Sequence, residues 1–137
     1  MTNFKFKKKI GTGILAAAMA LCALAPCTSL TADAATKSST GTYTKVVGEA
    51  TSTKGSSYGY NTSAATRYVY SSVYWFNDNG SSATSSGGAA VAKGGYVGSH
   101  KSRPSNYEKI KAKSQIHSGT SSAATVLEVK TVELSYK

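Results

Sequence analysis

Apolar and polar positions alternate most regularly over residues 107–117 (YEKIKAKSQIH), where Ile110, Ala112, Ser114 and Ile116 share one parity and Lys109, Lys111, Lys113, Gln115 and His117 the other. A period of two with one apolar and one charged side predicts an antiparallel strand, buried on one face and solvated on the other. Helix is the rival, because Glu, Lys and Ala favour it. Ile110 and Ile116 are six residues apart and miss a single helical stripe, so the strand reading is preferred. The densest run of strand-forming residues is 67–76 (RYVYSSVYWF). Its odd positions, Val69, Ser71, Val73 and Trp75, are aliphatic, small or indole, while its even positions, Tyr68, Tyr70, Ser72, Tyr74 and Phe76, make an aromatic ladder. This predicts a central strand with a buried face and a partly wet aromatic face.

The remaining elements are weaker. Residues 43–50 (YTKVVGEA) predict a first strand with Val46 and Val47 on opposite faces, and 51–60 either a strand carrying Tyr58 and Tyr60 on one side or an ordered loop. The run Asn77, Asp78, Asn79, Gly80 has the chemistry of a tight turn. Residues 81–88 (SSATSSGG) read as a flexible loop, 89–98 (AAVAKGGYVG) as a strand, and 99–106, with Lys101, Arg103 and Pro104, as an exposed basic loop. The last strand, 125–136, slips phase: Leu127 and Val129 have one parity and Val132, Leu134 and Tyr136 the other. A bulge near Lys130 or Thr131 would bring both sets to one core. The expected fold is all-β, a small antiparallel β-sandwich of about six to eight short strands. It forms one domain over 43–137 after a flexible leader, 35–42, with Trp75, Val69, Val73, Ile110, Ile116, Val129 and Val132 in its core.

Ahead of this domain, Lys5, Lys7, Lys8 and Lys9 precede the apolar run 10–25 (IGTGILAAAMALCALA), and Ala32 and Ala34 supply the small residues a signal peptidase needs to cut before Ala35. Residues 1–34 therefore read as a signal peptide. The run is shorter than the ~20 residues that span hydrocarbon, and Gly11, Gly13 and Pro26 interrupt or close it, which argues against a retained anchor. Pro26 beside Cys27 argues against lipoprotein processing. The expectation is a protein exported by a Gram-positive cell, extracellular or associated with the wall, with no stable membrane insertion of the mature chain.

Composition sharpens this picture. Both cysteines, Cys22 and Cys27, fall in the segment to be removed, so the mature chain must hold together by packing and hydrogen bonds without a disulfide. The full chain has sixteen basic and six acidic residues; removal of four lysines and Asp33 leaves twelve and five, a net charge of +7. That excess suits an anionic polymer as partner and equally suits simple solubility.

Two candidate surfaces emerge. Lys109, Lys111 and Lys113 lie ~7 Å apart along one strand face, and with Lys101, Arg103 and His117 they make a candidate face for an anionic cell-wall polymer. The competing reading is a solvated face whose lysines discourage edge pairing. Tyr68, Tyr70 and Tyr74 make a candidate platform for sugar rings, with ordinary packing as its competitor. His100 and His117 are the only imidazoles and Asp78 is the only aspartate after the cleavage site, in a turn, so no metal or cofactor is expected. The glutamates Glu49, Glu108, Glu128 and Glu133 sit singly, and no nucleophile or acid–base motif accompanies them. The expectation is a non-enzymatic secreted module that binds anionic or glycan components of the envelope, and no nucleic acid.

The Tyr/Ser-rich VYSSVYWF, the AVAKGGY segment and the cysteine-free mature chain resemble the small secreted β-sandwich bacteriocins of the lactococcin type, over about Tyr58 to Tyr96. The resemblance implies an alternative function, an antibacterial protein acting on cell-wall synthesis in related strains. The chain lacks a His-rich middle and an aromatic C-terminal ending, so no functional residue carries over.

Overall fold

The computed structural model describes residues 34–80 and 82–136, so the expected signal segment up to residue 33, with both cysteines, lies outside the described residues. Eight strands follow one another: β1 (Ala35–Thr40), β2 (Thr44–Ala50), β3 (Lys54–Asn61), β4 (Arg67–Phe76), β5 (Ser82–Val91), β6 (Tyr96–Ser102), β7 (Lys109–His117) and β8 (Val126–Ser135). They form two four-stranded antiparallel sheets, one ordered β1-β2-β3-β6 (sheet A) and the other β5-β4-β7-β8 (sheet B). Sheet A lies on sheet B with β2 over β7 and β8, β3 over β4 and β7, and β6 over β4 and β5. The chain is a small β-sandwich, as its alternation predicts.

The two central strands of sheet B behave as their patterns require. Val69, Ser71, Val73 and Trp75 of β4, with Ile110, Ala112, Ser114 and Ile116 of β7, are fully buried between the layers. One apolar cluster joins Ala50, Val73, Trp75 and Ile110; a second joins Val46, Ala112 and Val132. Sheet A meets them with small residues. A Cβ on Gly55 would stand 2.9 Å from both the Trp75 indole nitrogen and the Ile110 side chain, so the indole lies directly on the β3 backbone. Between the apolar clusters the layers are joined by hydroxyls: Thr44 Oγ1 meets Ser114 Oγ at 2.6 Å, Ser71 Oγ donates to the Ser57 carbonyl at 3.0 Å, and Ser57 Oγ donates to the Lys113 carbonyl at 3.3 Å. Much of the serine content is thus interior, and its polarity is satisfied by these bonds.

Several expectations are corrected. The segment read as a flexible leader is strand β1, paired with β2 from Ala35↔Ala50 to Thr40↔Lys45. Of the residues read as a loop, 82–88 belong to β5, which pairs with β4 along its whole length, and residue 81 lies outside the described residues. The single strand expected over 89–98 is two, the end of β5 and the start of β6, separated by a turn in which Gly94 adopts φ +80°. The basic loop begins later than expected, because β6 carries Lys101 and continues to Ser102. Val129 is not in the core. No bulge occurs near Lys130 or Thr131; those residues pair regularly with Ser114 and Lys113, and the register shift lies at Ile116/His117. Val132 is therefore buried, while Leu127 and Val129 remain 39% and 44% exposed.

A clasp ties β8 to sheet A. The Glu128 carboxylate accepts the backbone N–H groups of Thr42, Tyr43 and Thr44 at 3.1, 2.8 and 2.9 Å, with the Lys130 ammonium at 3.8 Å. Gly41 leaves room for it, because a Cβ there would displace the carboxylate. Burial alone would raise the Glu128 pKa, but the three N–H donors and Lys130 outweigh it and hold the group below the ordinary carboxylate value.

Candidate functional site

The outward face of sheet B collects most of the residues singled out from the sequence. On β4 the even positions point away from sheet A, and on β7 the odd positions do, so strand pairing sets the two series side by side: Tyr70↔Gln115, Ser72↔Lys113, Tyr74↔Lys111 and Phe76↔Lys109. The aromatic ladder and the lysine row, read from the sequence as separate surfaces, are adjacent rows of one face. The next strand adds Val129, Thr131, Glu133 and Ser135 opposite Gln115, Lys113, Lys111 and Lys109.

The two ends of this face differ. At one end Tyr68 stands edge-on to His117, with ring centroids 5.3 Å apart at 87°, and its hydroxyl lies over Gly88, where a Cβ would collide with it. His117 is only 5% exposed; its Nδ1 lies 2.8 Å from the Ala124 carbonyl and its Nε2 3.1 Å from the Gln115 amide nitrogen. A ring whose two nitrogens are both engaged and whose edge is covered by Tyr68 is part of the scaffold and not part of the open face. Tyr68 itself is fixed by the same contacts.

At the other end the surface is hollowed. Three shallow depressions share Phe76: one of about 320 Å³ with Lys109, Glu133, Leu134 and Ser135, one of about 300 Å³ with Tyr74 and Lys111, and one of about 170 Å³ that reaches Asn77, Asp78, Asn106, Glu108 and Lys109. Tyr74 stays close to its own strand, its hydroxyl 3.3 Å from Ser72 Oγ, and Ser72 is fully buried. Tyr74 and Phe76 are half-buried, so each keeps part of its ring open beside these hollows.

The lysine row is partly neutralised. Lys109 Nζ meets Asp78 at 2.6 Å and Lys111 Nζ meets Glu133 at 2.7 Å, whereas Lys113 has no carboxylate partner among the described residues. The hydrogen bond and charge of Lys109 hold the Asp78 carboxyl below its ordinary pKa, and Asp78 in turn raises that of Lys109. Lys101 and Arg103 do not join the row. Lys101 is on β6 in the other sheet, where its carbonyl accepts the Trp75 indole N–H at 3.0 Å. Arg103 packs its guanidinium 4.0 Å over the Tyr136 ring and donates to the carbonyls of Ser52 and Tyr107. It secures the loop after β6.

Phe76, Asp78 and Glu133 were absent from the sequence-derived site. Phe76 carried a signal, as the last rung of the aromatic ladder. The two acids carried none, because their places beside the lysines depend on the turn after β4 and on the β7–β8 register.

The outward side of sheet A holds a second aromatic group. Tyr58 stands edge-on to Tyr96 and His100, at 5.9 and 5.6 Å, and Tyr60 lies 5.2 Å from Tyr96. His100 Nδ1 is 3.0 Å from Ser56 Oγ. Burial, with charge interactions from Tyr96, Tyr58 and Glu49, pushes the Tyr60 hydroxyl pKa up to about 12. Tyr58 and Tyr60 are buried, unlike the open rings at the Phe76 end of sheet B. No group of three or more His, Cys, Asp or Glu side chains capable of holding a metal ion occurs among the described residues.

No protein-family model matches this chain, and no match was found among the curated proteins or the solved structures.

Proposed function

We propose that the protein is a secreted, non-enzymatic module that binds a glycan-containing polymer of the cell envelope through the outward face of sheet B. The observation that carries this reading is the register that sets Tyr74 and Phe76 directly beside Lys111 and Lys109, over the hollows around Phe76. Aromatic rings offer flat apolar faces at little cost in side-chain freedom, and ammonium groups beside them donate hydrogen bonds to hydroxyl, carboxylate or phosphate oxygens. Rows on neighbouring strands suit an extended chain better than a compact small molecule. The lysine row contributes contacts and encounter rate, and the rings contribute most of the lifetime of the complex.

Binding of the purified mature protein to Gram-positive cell walls, with and without their anionic polymers, tests this reading. Tyr74→Ala and Phe76→Ala are each expected to weaken attachment by about tenfold or more, the scale of a central aromatic contact, with cooperative unfolding retained. Replacing Lys109, Lys111 and Lys113 together by Gln is expected to slow association and flatten the salt dependence without abolishing attachment. Attachment unaffected by both aromatic substitutions would overturn the reading. The secreted product is expected to begin at Ala35, which its intact mass reports directly; a lipid-modified product that retains Cys27 would exclude this processing.

A further inference from the structure

The Phe76 end of the face is a mixed-charge surface. Lys109 and Glu133 share the first hollow, Lys111 lines the second, and Asp78 and Lys109 share the third. Every one of these four charges sits in a lysine–carboxylate pair, and both pairs are open to solvent: the side chains of Lys109 and Asp78 are 47% and 87% exposed, those of Lys111 and Glu133 45% and 56%. Exposed pairs of this kind hold together weakly, so a ligand can exchange with them. A ligand bearing only negative charge that takes the two lysines leaves two carboxylates unpaired beside its own anions. One bearing an anion and an amine in each repeat replaces each pair with two new ones and leaves none of these four charges unmatched.

We infer that the ligand recognised at Phe76 is a zwitterionic polymer, with amine groups as well as phosphate or carboxylate groups on its repeat, and that Asp78 and Glu133 are the residues that select the amine. This rests on the glycan-binding reading of the same face and adds its charge specificity. Lys113, which has no carboxylate partner among the described residues, adds a third cation to the face, and Glu108 of the third hollow a third carboxylate.

The test uses titration of the mature protein with three polymers: a polyol phosphate carrying amino-acyl esters, the same polymer after mild alkaline removal of those esters, and a neutral glucan. Wild-type protein is expected to bind the aminoacylated form about fivefold more tightly than the stripped form, the scale of two exposed charge pairs. The double variant Asp78→Asn, Glu133→Gln is expected to lose that preference, weakening on the aminoacylated polymer and strengthening on the stripped one. A wild type that does not prefer the aminoacylated polymer, or a double variant that keeps that preference or strengthens on both, overturns the inference while leaving the glycan-binding reading in place. Binding that survives Tyr74→Ala and Phe76→Ala on every polymer, or no binding to any of the three, overturns both.

Discussion

Trp75→Ala is expected to lower the unfolding free energy by about 3 to 5 kcal/mol, the range for removing a large buried aromatic side chain. The indole is fully buried against Val73, Ile110 and Ala50, rests on the Gly55 backbone, and donates its N–H to the Lys101 carbonyl. Truncation leaves a cavity between the layers and deprives that carbonyl of its donor. Gly55 has no side chain with which to fill the space, and sheet A is held at its present distance by backbone contact. In a domain whose whole stability is about 5 to 15 kcal/mol, such a loss is large. Denaturant unfolding measures it. Trp75→Phe separates the parts, because it keeps much of the apolar contact and loses the hydrogen bond, so it should cost markedly less. A midpoint for Trp75→Ala equal to that of wild type would contradict the burial described.

Glu128→Gln is expected to cost about 1.5 to 3 kcal/mol near neutral pH, since hydrogen bonds to a charged acceptor are the strong ones. A glutamine can offer one oxygen to the N–H groups of Thr42, Tyr43 and Thr44, and its amide donors face them without an acceptor. The effect has a defined pH dependence. Glu128 has a folded pKa below its ordinary value of 4.5, so its contribution is fully present above that value and disappears as pH falls through the folded pKa. The stability difference between wild type and Glu128→Gln should therefore be constant at neutral pH and close under acid. Asp78, also depressed, titrates in the same direction but is exposed at a turn. Measuring both proteins in an Asp78→Asn background isolates the clasp. A difference that persists unchanged at acid pH would show that the carboxylate charge is not what holds the turn.

The elements most legible in the sequence were those with one side buried and the other wet. In β7 the alternation of isoleucine and alanine with lysine left only one orientation, and in β4 the aliphatic and aromatic series separated for the same reason. β1 and β5 were illegible because their residues carry little intrinsic preference. SATSSGGAAV becomes a strand because β4 offers it an edge, with Gly88 admitting the Tyr68 ring. Val129 was misplaced because the phase slip of β8 has two resolutions, a bulge or an exposed pair of aliphatics, and the pairing with β7 selects the second. The site was half legible. Each row could be read from its own strand, but their adjacency depends on β4 and β7 being neighbours in a sheet, and the pairing of Lys109 with Asp78 and of Lys111 with Glu133 follows from that tertiary arrangement.

The glycine and hydroxyl contacts that bring β3 against sheet B have a consequence for how such a protein can diverge. Where a backbone, and not a side chain, sets the spacing of two layers, the interior tolerates little change: a methyl at Gly48, Gly55 or Gly59 meets atoms at 2.9 Å or less. The outward positions do not set the spacing of the layers and are under less restriction, above all at the exposed rows of sheet B. Sequence drift in descendants of this chain should therefore be concentrated on the two outer surfaces while the small interior residues stay fixed. Relatives sharing the scaffold could then differ in almost every residue by which they recognise a ligand.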